Sequence, residues 1–377
     1  AKSRTDKIIL MRKFLSVPIG LISLLLPLFL GSVLLFAKEL VWKTAGDPIF
    51  TDPTIHNVEV IPLPDGKYRM YFHQGTEMKS AISADGRAFE IEPGTRLQGA
   101  MPSLVPLPNN AGWRMYYQTI DNGQGIFKSA VSAEGLSWTV EPGVRLESGG
   151  SLDPDNIVHP SVVALPDGTY RMYYDGEVTK TEQEFEWRIL SAVSSDGLAW
   201  EKEEGVRINI GVAPLEADLV WNAHARYLPL TGTYELYFSV QTPNDGFIDG
   251  IYLAASEDGL LFSDPVAQLT PEKESGEFGP GGQTGSYQDP FILETETEKT
   301  MYYWVQGDGI YWARLTSGES EEELTFWENI QKQAAELWER IKEFRLPENL
   351  ELYIIPTILL IGGAAAVIYL WRSRLRR

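Results

Sequence analysis

Two Asp-Pro dipeptides, Asp52-Pro53 and Asp289-Pro290, head short apolar runs far apart in the chain. A carboxylate held at such a strand opening can serve as a base, a nucleophile or a ligand anchor, and acid–base work asks for a second carboxyl of different proton affinity. Candidates for that second group are Glu216 and Asp218, just ahead of Trp221-Asn222-Ala223-His224, with Asp153 and Asp155 ahead of His159 and Glu177 after Tyr173-Tyr174 as further acids. His159 and His224 are expected to sit at similar depths and to face one space, as polar lining or as weak metal ligands. His56 and His73 show no comparable pairing. Asn222 would add an amide, and Trp221 and Tyr287 flat faces suited to stacking on a ring. Turn caps, solvated loops and core packing use the same residue types, so position has to decide between the readings.

Position comes from a repeat. The stretch Ser194-Ser195-Asp196-Gly197-Leu198-Ala199-Trp200 recurs at Ser83 to Phe89, Ser132 to Trp138 and Ser256 to Phe262, each copy following a short alternating apolar run. Strand, tight turn and strand is the local reading, and recurrence near every fifty residues indicates a solenoid or propeller. Around the marker the unit resolves into four strands. In the clearest copy these are Pro160 to Leu165, Tyr170 to Tyr174, Ile189 to Ser194, and a last strand ending Gly205-Val206-Arg207-Ile208. Second strands recur as Tyr68-Arg69-Met70-Tyr71-Phe72, Trp113-Arg114-Met115-Tyr116-Tyr117 and, more loosely, Tyr234 to Phe238 and Thr300 to Trp304.

The fifth copy runs out after Leu315 without a marker or an outer strand, and the segment from Leu40 to Phe50 is the expected donor that closes the ring and removes the free sheet edge. The expected fold is therefore all-β, a five-bladed β-propeller of four-stranded antiparallel blades over 38–316. The marker is expected to be architecture: Asp caps its own turn, Gly takes a conformation other residues resist, and the aromatic packs between blades.

On the Asp-Pro openings, the Arg-Met-Tyr-Tyr second strands and the Ser-x-Asp-Gly-x-x-Trp turns, roughly residues 40–316 resemble the five-bladed glycosidases that include arabinanases, xylosidases and fructosidases. The turns are also similar to the sialidase Asp-box, one residue shorter between Asp and Gly. The resemblance implies an Asp opening the first blade, a second Asp opening a middle blade, and a Glu acid in the next. Asp52 matches the first. Met101 and His159 stand before the prolines of blades two and three, and blade four reads Trp221-Asn222-Ala223-His224 without a Glu. Glycoside hydrolysis requires two carboxyls flanking the bond, so the expectation is a glycan-recognition module, as an enzyme a divergent glycoside hydrolase. The alternative is a non-catalytic scaffold or adhesion propeller that binds a protein partner. No cofactor or dedicated metal site is expected, beyond a channel-bound ion or water.

Composition limits the setting. There is no cysteine, which excludes disulfides, thiolate metal sites and cysteine nucleophiles, and the chain of 377 residues carries a net charge of −20. Residues 1–13 and 372–377 are each +4, which leaves about −28 for the middle. So acidic a body does not bind nucleic acid. Residues 14–37 are almost wholly apolar after Arg12-Lys13, a signal peptide or membrane anchor, and 350–371 form a second apolar span followed by four arginines. By the positive-inside rule those arginines are cytoplasmic, and the propeller between the spans is expected outside the membrane, with the membrane and a glycan or surface polysaccharide as its partners. Within 317–349 an acidic hinge precedes Phe326, Ile330, Ala334, Leu337, Ile341 and Phe344, the spacing of an amphipathic helix.

Overall fold

The structure, a computed structural model, describes residues 40–181, 184–209, 219–241, 248–270 and 286–317. The two apolar spans, the amphipathic segment and the basic ends lie outside the described residues. Among those described, no helix is long and apolar enough to cross a membrane.

A short strand β1 (Leu40–Thr44) precedes five antiparallel sheets. Blade one holds β2 (Ile55–Pro62), β3 (Tyr68–Gln74), β4 (Glu77–Ser83) and β5 (Glu90–Gln98). Blade two holds β6 (Ala100–Pro106), β7 (Trp113–Asp121) and β8 (Gln124–Ser132), with its outer position shared by β9 (Thr139–Val140) and β10 (Leu146–Glu147). Blade three is β11 (Asn156–Ala164), β12 (Tyr170–Thr181), β13 (Glu184–Ser194) and β14 (Glu201–Lys202), and blade four is β15 (Leu219–Leu228), β16 (Thr233–Gln241), β17 (Ile248–Ser256) and β18 (Val266–Leu269). Blade five is β19 (Tyr287–Glu294), β20 (Lys299–Val305) and β21 (Gly309–Ser317), completed by β1 beside β21. The five inner strands β2, β6, β11, β15 and β19 contact one another in a closed ring. This is the expected propeller, closed by the expected donor.

The second strand of each blade packs between neighbours on both faces. Its sequence is accordingly a continuous apolar run and not an alternation: Met70, Tyr71 and Phe72 are fully buried, as are Met172 and Tyr173. Blades then need a lateral fastening, and the repeat marker supplies it. Asp196 Oδ1 accepts the N–H groups of Leu198 and Ala199, and Ser194 Oγ accepts that of Gly197, which sets the turn. The turn docks on the preceding blade: Tyr116 donates its hydroxyl to the Gly197 carbonyl at 2.9 Å, Arg114 Nη1 donates to the Asp196 carbonyl at 3.1 Å, and Trp200 stands edge-on to Tyr116. Tyr71 with Gly135, Tyr173 with Gly259 and Tyr302 with Gly86 repeat the hydroxyl contact. Arg69, Arg114 and Arg171 each also bridge to a glutamate of the same blade, as Arg114 does to Glu141 at 2.8 Å. The marker is a fastening, as its composition suggested.

Blade five has no marker, so the seam between blades four and five is built differently. There Arg226 pairs with Glu235 and Glu294, Lys299 reaches Glu235 at 3.3 Å, and the Lys299 ammonium sits 5.3 Å from the Tyr237 ring. Trp42 of β1 covers the same ring edge-on and donates Nε1–H to Gln268 at 3.2 Å. The closing strand thus also holds blade four.

Candidate functional site

All five inner strands break register at the same place. The breaks fall between His56 and Glu59, Ala100 and Ser103, Val158 and Ser161, Trp221 and His224, and Gln288 and Phe291. Each bulge opens with a non-glycine residue in the left-handed region: Asn57 at φ 48°, Met101 at 55°, His159 at 52°, Asn222 at 54° and Asp289 at 52°. Asn, Asp and His tolerate that region best, and each such residue costs of order 1–3 kcal/mol unless its surroundings hold it. Proline follows in three of the five, since the second bulge residue gives no N–H to the ladder. The bulges turn these side chains out of the sheets and into one pocket at the ring centre, lined by all ten bulge residues together with Glu59, Ser161, His224 and Phe291. It encloses about 40 Å³ open to water, room for a few waters or one small substituent.

Asp289 is buried at the pocket wall. Its Oδ1 accepts from Asn222 Nδ2, its Oδ2 faces the Asn57 N–H at 3.4 Å and His56 Nδ1 at 3.8 Å, and its own N–H donates to Ser239 Oγ at 3.2 Å. Behind it lies a carboxylate the repeat reading did not select, Asp175 on β12. Asp175 Oδ2 accepts the Asn222 N–H at 2.8 Å and meets His159 Nδ1 at 2.7 Å, while burial raises its carboxyl above the usual range. With Asp175 accepting, His159 donates its Nδ1–H and turns Nε2 away from the carboxyl. Asp175 Oδ1 and Asn222 Oδ1 are buried without a hydrogen bond.

His73 donates Nδ1–H to the Gly75 carbonyl at 3.0 Å, and burial lowers its proton affinity. The Asn57 side-chain amide stands against it, its Oδ1 placed 2.8 Å from His73 Nε2. His56 and His73 stack at 5.7 Å, and His56 lies 4.5 Å from the Trp304 ring. All four histidines of the chain thus gather around the channel, where the sequence suggested only His159 and His224. His224 lies deep, 4.4 Å from Phe291, and burial pushes its imidazole down to about 3, so it is neutral.

Glu59 is the other carboxyl of the pocket among the described residues. Its side chain is only partly exposed, Oε1 accepts the Leu104 N–H at 3.1 Å, and desolvation pushes it up to about 8. A charged residue inside the apolar run Val58-Glu59-Val60-Ile61 was the signal for it, as was the first polar residue after Tyr173-Tyr174 for Asp175.

Other candidates fall elsewhere. Asp52 does not share the register of Asp289. It lies five residues ahead of its blade's bulge, where Asn57 occupies the matching position, and it caps a turn through the Thr54 hydroxyl at 2.6 Å and N–H at 2.9 Å, contacts that hold its carboxyl below the usual range. Gln74 Nε2 also donates to it at 2.9 Å. Tyr287 is fully buried against Tyr303 and presents no face to a ligand, because its strand position points into the core between blades four and five. Trp221 is partly exposed on β15 just before the bulge, outside the pocket lining. Asp153 is buried with Lys202 at 2.6 Å and Tyr174 at 3.0 Å. Asp155 caps Thr179 at 2.8 Å and Glu177 pairs across from Asn156, neither of them lining the pocket. Glu216 and Asp218 lie outside the described residues. Among those described, no three His, Asp or Glu side chains are arranged to hold a metal ion.

No family model matches the sequence, and no curated protein matches it significantly. Solved structures do match in fold. A protein solved as an RGII complex superposes with a TM-score of 0.58 at 14% identity, over 75% of this protein and 93% of that one. A glycoside hydrolase gives 0.58 at 15% identity over 75% and 94%. The endo-arabinase of Bacteroides thetaiotaomicron gives 0.53 at 10% identity over 75% and 99%. At such identities the likeness is one of fold: the chain has a five-bladed propeller of the kind found in glycosidases.

Proposed function

We propose that this chain is a carbohydrate-recognition module, held at a membrane with its propeller on the extracytoplasmic side, whose ligand docks into the pocket at the ring centre. The observation that carries the binding site is the convergence of five strained bulges on one pocket. Strain of that kind persists where surroundings over-determine it, and it gathers at ligand sites. The groups brought together are Asp289, Asn57, Asn222 and His159, with no lysine or arginine in the lining among the described residues. Such a lining suits the hydroxyls of a sugar and disfavours an anion. The fold likeness to glycoside hydrolases supports the ligand class. The membrane setting is supported by the apolar spans 14–37 and 350–371 with their basic flanks. If the module also hydrolyses its ligand, Asp289 and Glu59, the two carboxyls of the pocket among the described residues, could share the work.

The test is titration of the purified full chain with arabino-, xylo- and manno-oligosaccharides, and with galacturonate oligomers as anionic counterparts, alongside release of aryl aglycones. Binding of a neutral oligosaccharide that is lost in Asp289→Asn is the expected result. Absence of binding and turnover across the panel would overturn the reading.

A further inference from the structure

Five equivalent positions follow the bulges: Glu59, Ser103, Ser161, His224 and Phe291. In blades two and three the residue fastens the next inner strand, Ser103 Oγ accepting the Val162 N–H at 2.9 Å and Ser161 Oγ the Ala225 N–H at 2.8 Å. Glu59 Oε1 does the same for Leu104. A serine would suffice for that contact. What Glu59 adds is a second oxygen, and Oε2 has no protein hydrogen bond among the described residues, although the side chain lines the pocket.

A carboxylate here would have no counter-charge among the described residues. Titratable groups on the adjoining strands are His56 on β2, Tyr68, Arg69, Tyr71 and His73 on β3, Tyr287, Asp289 and Glu294 on β19, and Lys299, Tyr302 and Tyr303 on β20, while β6 carries none, and His159 and His224 share the pocket lining. Arg69 is engaged with Glu92. Lys299 is engaged with Glu235. Among the described residues Glu59 forms no ion pair, and an unpaired charge at such a site is costly enough that the group holds its proton instead. With Oε1 accepting from Leu104, that proton belongs on Oε2.

We infer that Glu59 works as an un-ionised carboxylic acid whose Oε2–H donates a hydrogen bond to an oxygen of an uncharged sugar, a hydroxyl or hydroxymethyl small enough to enter the pocket. The ligand part of this inference rests on the carbohydrate reading above. Donor and acceptor are then divided within the pocket: Glu59 gives a proton to the bond, and Asp289 receives one. This acid stands in blade one, not in the blade where the family resemblance puts a glutamate.

The experiment has two arms on the full chain, as wild type, Glu59→Gln and Glu59→Ser, the serine keeping the fastening found in blades two and three. Infrared difference spectra at pH 7 should show a carboxylic-acid carbonyl band in wild type that both variants lack. In the second arm the same neutral oligosaccharides and galacturonate oligomers are titrated between pH 7 and 9, above the ordinary histidine range. Wild-type affinity should fall about tenfold by pH 9 as the proton leaves a group titrating near 8. Glu59→Gln, which still offers an N–H, should bind within about threefold of wild type at pH 7 without that decline, and Glu59→Ser should bind at least about tenfold more weakly. A missing acid band, or parallel pH curves for wild type and Glu59→Gln, would overturn the inference while leaving any glycan binding intact. An acid band with no bound sugar would instead sink the carbohydrate reading, and with it the ligand assigned to Glu59.

Discussion

Replacing Glu59 by glutamine should make the folded chain more stable at neutral and alkaline pH. Glutamine has nearly the same shape and keeps an oxygen for the Leu104 N–H, so packing and the contact to blade two are retained. What it removes is a titration. In the unfolded chain this carboxyl ionises near its ordinary 4.5, whereas burial in the channel raises it to about 8 in the fold. Between those values the folded state holds a proton that the unfolded state has released, so unfolding is increasingly favoured as pH rises. The contribution is at its best below pH 4.5, is lost at about 1.4 kcal/mol per pH unit up to about 8, and is level above that. The 2.5 units between 4.5 and pH 7 amount to about 3 kcal/mol, and the full interval to about 5 kcal/mol. Urea unfolding of both proteins from pH 5 to pH 9 measures the difference. The two stability curves should nearly meet at pH 5 and diverge toward pH 9, with glutamine above. Parallel curves, or a glutamine variant uniformly less stable, would refute a desolvated neutral acid at this position.

Further expectations concern the other parts of the pocket and the ring. Asp289→Asn removes the charged acceptor that Asn222 and Asn57 address, and glycan affinity measured by calorimetry should drop tenfold to a hundredfold, on the order of 1.5–3 kcal/mol for a hydrogen bond to a charged group. Gly197→Ala would put a methyl 2.4 Å from Arg114 Nη1 and 2.6 Å from the Tyr116 hydroxyl at a positive φ of 74°, and should cost about 2–4 kcal/mol in thermal or urea unfolding. Trp42→Ala opens the contact of the closing strand with Tyr237 and Gln268, and should lower stability by about 3–5 kcal/mol, while a loss under about 1 kcal/mol would mean that the ring closes without it. If the propeller is extracytoplasmic, a protease site inserted at the exposed Leu230 should be cut from outside intact cells, and a reporter joined after Arg377 should stay protected.

The amino-acid sequence alone determined the architecture. A marker of fixed composition, second strands that are apolar throughout and a last blade short of one strand together specify five blades and the segment that closes them. These signals are local and repeated, and they survive because every blade meets the same packing problem. The role of the marker was equally legible, since turn capping and the bulk of Tyr and Trp act within a few residues or across one seam. The pocket was legible only in part. Asp289, His159, Asn222 and His224 could be named because they stand beside prolines or in a matching register, and the bulges bring them together.

Tertiary structure decided the remainder. Asp52-Pro53 and Asp289-Pro290 read alike as dipeptides, but one is a turn ahead of a strand and the other a bulge within one, a difference set by which backbone groups pair across the blade. Tyr287 looked available and is core, because its neighbours from two other strands are distant in sequence. Asp175 joins the site only because the ring brings β12 behind the bulges of blades three and four, and His56 and His73 only because the pairing of β2 with β3 stacks them. Whether Glu59 is charged depends on desolvation and on the absence of a counter-ion around it among the described residues, both properties of a closed ring of five inner strands that no single stretch of sequence contains.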